Sequence, residues 1–323
     1  IRDRDGATIR GIVFDGASEV ADAIRIDDTV TGAPVVISGC TVRNYTNRFV
    51  YVSLSGKIES LTIDDCIFIG ADNSTTNKAI YASSAHTQVE TLSVTNSTFL
   101  NFNTGSNYFF RINCGEELVL MPVVLIDHCT FYNCYDRRGV YLYNAGRSTI
   151  KNCISAFSER RDDTKSFTAY GDESIVKNVI SYNVDLYGSA PKENIISKNP
   201  LFVDAENGNF QLYKDSPAVG AGDDGSDLGD PRWGVSTENA PVGELPYECF
   251  KKPYSMSPTT HSVRILWQTL DSNPSGTVYY GKTPDLGQKV TAETGWNVDG
   301  EGFVHVIELT GLEPFTEYYY QAG

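Results

Sequence analysis

The phrase IDHCTFYNC, residues 126–134, recurs along the chain as ISGCTVRN (37–44), IDDCIFIG (63–70), VTNSTFLN (94–101), IKNCISAF (150–157) and VKNVISYN (176–183). A looser copy, IRGIVFDG, occupies 9–16. A phrase returning every 24 to 32 residues or so marks a repeat protein. Aligned, the copies put Ile12, Cys40, Cys66, Ser97, Cys129, Cys153 and Val179 in one column of small, mostly apolar residues, where buried Cys serves well. Two places on stand Phe14, Val42, Phe68, Phe99, Phe131, Ser155 and Ser181, so apolar residues share one parity, the period of a strand with one buried face. Two further on, Asn44, Asn101, Asn133 and Asn183 recur, with Gly16 and Gly70 in the same column, marking a turn in left-handed backbone. Several short strands per repeat and no helical period predict an all-β chain: a right-handed parallel β-helix whose coils stack about 4.8 Å apart.

A second strand per coil is legible at AIRID (23–27), FVYVS (49–53), AIYAS (79–83), FFRIN (109–113), VYLY (140–143) and SFTAY (166–170). With Ile24/Ile26 and their counterparts facing inward, two outward columns follow. One reads Arg25, Tyr51, Tyr81, Arg111, Tyr141, Thr168; the other reads Asp27, Ser53, Ser83, Asn113, Tyr143, Tyr170. A basic row of Arg48, Lys78, Arg138 and Lys165 precedes these strands. The repeat runs down in a Gly/Asp-rich tail, 199–234, giving a β-helix over 1–233 and a linker over 234–256. From 257 longer alternating strands, with Trp267 early and Leu312, Pro314, Thr316 and Tyr318 in tyrosine-corner spacing, predict a β-sandwich over 257–323 lacking its last strand. The chain reads as a piece of a longer protein, with further domains beyond it.

A formal charge of −15 argues against a nucleic-acid partner. No apolar run is long enough to span a bilayer, and the Gly-, Thr-, Asn- and Tyr-rich composition suits a secreted or cell-surface protein. The partner expected along the outward columns is a polysaccharide, acidic in kind. Eliminative cleavage of a uronic-acid polymer needs a cation to neutralise the sugar carboxylate and a base to take the α-proton. Arg111 is the candidate for the first role, Tyr141 or Tyr143 for the second, with Lys165 assisting and Arg25, Tyr51, Tyr81, Arg138 and Tyr170 holding substrate. A Ca²⁺ site would draw on Asp162 and Asp163 or on the acidic run 223–230, although neither has EF-hand spacing. The aromatic ladder has a plainer reading, in which the rings stack on one another for stability. His86, His128, His261 and His305 are scattered, and no Ser/His/Asp set emerges; His128 reads as wall surface. Asp64 and Asp127 share a column two coils apart, too far for a retaining glycosidase pair.

The repeats resemble the pectate-lyase superfamily of β-helices. The tail NPLFVDAENGNFQLYKDSPAVGAGDDGSDLGDPRW is similar to the closing segment of secreted bacterial β-helix proteins related to the chondroitinase B and alginate lyase group. That resemblance implies a lyase using a Lys in an E-x-E-x-I-S-x-K-S motif with calcium-binding carboxylates, and an Arg on a following strand. Here Lys165 and Ser166 stand at K-S, the E-x-E pair is absent, and Tyr143 occupies the Arg position. Residues 257–323 resemble the fibronectin type III module at the front of purple acid phosphatases. The expected function is binding of an acidic polysaccharide, with β-elimination as its chemistry. The alternatives are a non-catalytic adhesion or spacer protein and an accessory region of a larger hydrolase.

Overall fold

The computed structural model describes residues 1, 6–27, 29–30, 34–53, 57–70, 77–84, 88–102, 108–114, 122–143, 146–240, 249–269, 275–283, 286–293, 295–297 and 303–322. Two compact units divide it, Ile1–Glu238 and Asn239–Gly323. No helix among the described residues is long and apolar enough to cross a membrane.

The first unit is a parallel β-solenoid with three strands per coil. A first wall runs through Ala7–Arg10, Val35–Ser38, Lys57–Asp64, Gln88–Thr95, Val123–Asp127, Arg147–Ala156, Ile175–Tyr182 and Lys192–Ile196. A short second wall follows each coil's first corner, as in Thr41–Arg43, Ile67–Ile69, Thr98–Leu100 and Thr130–Tyr132. The third wall stacks Asp22–Ile26, Arg48–Val52, Lys78–Ser84, Phe110–Cys114, Val140–Leu142, Lys165–Ala169 and Asp185–Tyr187.

Registration between coils follows the repeat. Phe14 pairs with Val42, Val42 with Phe68, and the file continues through Phe99, Phe131 and Ser155 to Ser181. Inside, the rings of Phe68, Phe99 and Phe131 stack at 4.9 Å between successive centroids, with planes 5° and 7° apart. Such pairs each contribute about 0.5–1.5 kcal/mol beyond burial.

The Cys column has a specific task. The thiols of Cys40, Cys66, Cys129 and Cys153 and the hydroxyl of Ser97 each donate to the carbonyl two residues back, at 2.7–3.4 Å. Between donor and acceptor the chain turns the first corner. That corner residue is Gly11, Gly39, Asp65, Asn96, His128, Asn152, Asn178 or Asn194 in successive coils, all with φ between +48° and +67°. A short side chain carrying one polar hydrogen therefore fits the column whether it is Cys or Ser. Cys134, which has no counterpart in the aligned column, does the same across the second corner, donating to the Tyr132 carbonyl around Asn133. Burial pushes the Cys66 thiol up to about 12, and Cys40, Cys66, Cys129, Cys134 and Cys153 are free and buried within the core.

Three expectations need correction. Ile12 is 44% exposed, although its column is buried in later coils, because its strand neighbour Val13–Asp15 lies at the end of the stack and pairs with Thr41–Arg43 alone. Asn44, Asn101, Asn133 and Asn183 do adopt positive φ, but Gly16 and Gly70 in the same column do not. Glycine stands there because a Cβ would fall 2.6 Å from the Asn44 carbonyl oxygen and 2.4 Å from that of Asn101. The third correction concerns 234–256, read as linker. Val235 bridges Leu212 in the first unit, and Cys249–Met256 is a strand of the second, its alternation hidden by lysines and Pro253.

The second unit has a four-stranded antiparallel sheet (Cys249–Met256, Ser262–Thr269, Phe303–Thr310, Trp296–Asn297) and a three-stranded one (Gln288–Glu293, Ser275–Gly281, Tyr319–Ala322). Its core gathers Ile265, Trp267, Val278, Ile307 and Leu309, with the Trp267 ring stacked on His305 at 5.0 Å. The tyrosine corner is present: the Glu313 N–H donates to the Tyr318 hydroxyl at 3.1 Å.

Candidate functional site

The outward column of the third wall is continuous. Arg25 pairs with Tyr51, Tyr51 with Tyr81, Tyr81 with Arg111, Arg111 with Tyr141 and Tyr141 with Thr168. The preceding column holds a member the sequence did not reveal. Ile80 pairs with Phe110, so the position between Lys78 and Arg138 is Tyr108. Its ring joins the ladder, 6.2 Å from Tyr81 and stacked on Tyr141 at 5.9 Å. Tyr143 stacks on Tyr141 at 5.7 Å, and Tyr170 stands edge-on to both.

Facing outward does not mean facing water here. Tyr51 is 7% exposed and Tyr141 5%, and Thr168 is buried. Long side chains lie flat on the wall and cover them: the Arg48 guanidinium sits 3.5 Å from the Tyr51 ring centroid, and Arg138 4.7 Å from that of Tyr141. Tyr143, at 39%, is the ladder phenol most open beside Tyr141, and Tyr187, at 56%, continues the file one coil beyond Thr168. Tyr141, one of the two phenols expected to act as base, is therefore largely covered by its neighbours. Burial also raises the Tyr108 and Tyr170 phenols above their ordinary values, so both stay neutral at physiological pH.

The cations divide into two sets. Arg25 pairs with Asp27 at 2.8 Å, Arg48 with Asp22 at 2.8 Å, and Lys165 with Asp185 at 3.2 Å. Lys165, two coils along from Arg111, is thus paired with a carboxylate of the coil beyond. Burial pulls the Lys78 ammonium below its ordinary value. Arg111 and Arg138 are different: among the described residues neither meets a carboxylate in an ion pair. Arg111 donates to the Tyr108 hydroxyl, and its Nε, though buried, makes no hydrogen bond. Its guanidinium carbon lies 4.5 Å from the Tyr108 ring centroid and 5.8 Å from that of Tyr141. Two guanidinium groups on neighbouring coils thus flank one tyrosine stack without a counter-ion among the described residues. The side chains of Ser83 and Asn113 in the neighbouring column, with those of Cys114 and Cys249 and the whole of His86, lie outside the described residues.

The acidic runs do not gather. Asp223 is taken by Lys151 at 3.2 Å, Lys177 at 2.9 Å and the Asn152 amide at 2.9 Å; that amide and the Lys177 ammonium hold its carboxyl far below the usual range. Asp227 accepts from the Gly220 N–H, Asp162 pairs with Arg160, and Asp230 is buried in the fold. No three His, Cys, Asp or Glu side chains are placed to share a metal ion among the described residues. Asp64 and Asp127 are separated by Thr95 in register, and the Thr95 hydroxyl donates to Asp64 at 2.6 Å.

Residues 1–102 match a domain of unknown function (DUF4957) and residues 124–233 match another (DUF5123). Residues 254–323 match the N-terminal domain of purple acid phosphatases, in line with the fibronectin-like sandwich. No curated protein matches the chain.

Proposed function

We propose that this chain is the polysaccharide-binding part of a secreted or surface carbohydrate-active protein, with its β-solenoid of the pectate-lyase-like kind. The third wall is its binding face. The observation that carries the reading is the pair Arg111 and Arg138, which meet no carboxylate in an ion pair among the described residues and flank the Tyr108–Tyr141–Tyr143 stack. Guanidinium forks match carboxylates in geometry, and ring faces pack against the C–H faces of sugars. A protein of charge −15 in which two such groups on one face meet no carboxylate among the described residues suits an anionic ligand that arrives there. Polymers lying along the stack would meet the same chemistry from coil to coil.

β-Elimination is the second reading, and the exposure of Tyr143 favours it. Arg111 would neutralise the uronate carboxylate and Tyr143, rather than the covered Tyr141, would take the α-proton. Affinity electrophoresis in pectin, alginate and chondroitin tests binding, and ultraviolet absorbance of unsaturated uronate in the same mixtures tests cleavage. Retardation without absorbance supports a binding face alone. Migration unaltered by all three polymers would remove the proposal.

A further inference from the structure

The short second wall carries a different constellation. The tail folds back along it, and Phe202, Phe210, Leu212, Ala218 and Leu228 pack on Tyr132, Ile154 and Ile180. Between strap and wall lies a cleft of about 380 Å³, within the range of small-molecule sites. Ile154, Phe202, Phe210, Leu212 and Trp233 line it, together with Thr130 and Asp230, which bond each other. At its rim the strap brings Ser226 onto His128, which sits at a first corner with φ +50°. The His128 Nδ1–H donates to Asp127 Oδ1 at 2.8 Å, and His128 Nε2 lies 2.7 Å from Ser226 Oγ. Chain separation hid this set from the sequence, because Ser226 is 98 residues from His128.

We propose that Ser226, His128 and Asp127 form an acyl-ester hydrolysing site whose acyl group enters the cleft. Both distances meet what a nucleophile, a base and its orienting carboxylate require. Ser226 Oγ attacks the ester carbonyl carbon while its proton passes to His128 Nε2, and the carbonyl electron pair moves onto oxygen. Asp227 follows the nucleophile and lines the cleft, and its N–H makes no hydrogen bond among the described residues, leaving it to receive that oxyanion. Collapse breaks the carbon–alkoxy bond, and His128 returns the proton to the departing alcohol. Water then repeats the sequence, giving its proton to His128 and its hydroxide to the acyl carbon, so that the acid leaves and Ser226 regains its proton. In the resting site the hydroxyl also donates to Asp224 Oδ1 at 2.5 Å, and turning it toward His128 needs only rotation of the O–H bond. Asp127 is a positioning residue: it fixes the Nδ1–H tautomer and leaves Nε2 toward Ser226.

The test uses the full chain with p-nitrophenyl acetate and butyrate, and with a fluorophosphonate label followed by peptide mapping. The label is expected on Ser226, with turnover reduced at least about 100-fold by Ser226→Ala and by His128→Asn, the scale of a lost general base. Asp224→Asn is expected to retain turnover, since Asp224 only competes for the proton. Should Ser226→Ala fail to fold, Ser226→Cys keeps the packing, and its alkylation by iodoacetamide should slow when His128→Asn is added. An unlabelled Ser226, turnover equal in wild type and Ser226→Ala, or an alkylation rate indifferent to His128 would each overturn the proposal and leave the trio as a pin for the strap. The glycan reading rests on the third wall and is untouched by any of these outcomes.

Discussion

The second and third walls of the solenoid are built by one rule and finished in opposite ways. Both stack in register, turn at left-handed corners and point every other side chain outward. On the second wall those outward files are small or apolar (Thr98, Thr130, Ile154, Ile180), and the chain's own tail covers them. Asp230 fastens the cover from within, accepting from the Thr98 hydroxyl at 2.7 Å while its N–H donates to Thr130. Arg232 reaches Asp65 at 2.6 Å, and Lys151 and Lys177 hold Asp223, so charges there are spent on the fold. On the third wall the outward files are tyrosines and arginines that lie flat and cover one another, yet two guanidinium groups meet no counter-ion among the described residues. Outward chemistry, rather than coil geometry, decides which wall the chain's own tail closes; in the proposed function the other wall takes the ligand.

The largest expected effect separates the two walls by stability. Phe210 is buried against Tyr132, Phe202 and Trp233, and Phe210→Ala is expected to lower the unfolding free energy by about 3–5 kcal/mol, read by chemical denaturation. Its polysaccharide affinity should stay as in wild type. Arg111→Ala should do the reverse. Loss of a charge-assisted contact costs about 1.5–3 kcal/mol, a 10- to 100-fold weaker affinity, while stability falls by no more than about 1 kcal/mol. Equal effects of both substitutions on binding would erase the distinction between the walls.

Smaller effects sharpen it. Asp185→Ala releases Lys165 and Arg160 from their pairing, so affinity for an anionic polymer should rise a few-fold at low salt and lose the gain as salt screens it. On the second wall, the hydrogen bond to Asp127 raises the His128 imidazole above its ordinary value. The stabilisation this confers is fully present below the unfolded value of about 6.5 and is lost as pH rises through the higher folded one. Melting temperature should therefore drop across that window in wild type and not in His128→Asn. Arg25→Ala marks the floor: Arg25 already serves Asp27, and neither affinity nor stability should move measurably.

Much of this architecture was legible because a solenoid writes its neighbours into its period. The Phe14-to-Ser181 file and the Arg25-to-Thr168 file could be read directly, since each coil contributes one residue to each. The first corners were equally regular but chemically mixed: Gly39, Asp65, Asn96 and His128 share only tolerance of positive φ, so their identity hid the pattern. Tyr108 was missed because its coil has no cation at that position. The closed state of Tyr141 was not legible either, since it depends on how Arg138 and Tyr143 lie rather than on where they stand. The strap escaped for another reason. Its contacts to Thr98 and Thr130 span 132 and 100 residues and follow no repeat. A hint existed in CISAF and VISY, where both parities are apolar or small, as in a strand buried on two faces.

Isothermal titration of pectate, alginate and chondroitin sulfate into wild type and into Arg111→Ala/Arg138→Ala tests the central claim most directly. The claim predicts saturable heat with at least one of the polymers in wild type, weakened about 100-fold or more in the double variant at unchanged melting temperature. Identical isotherms for the two proteins would contradict it.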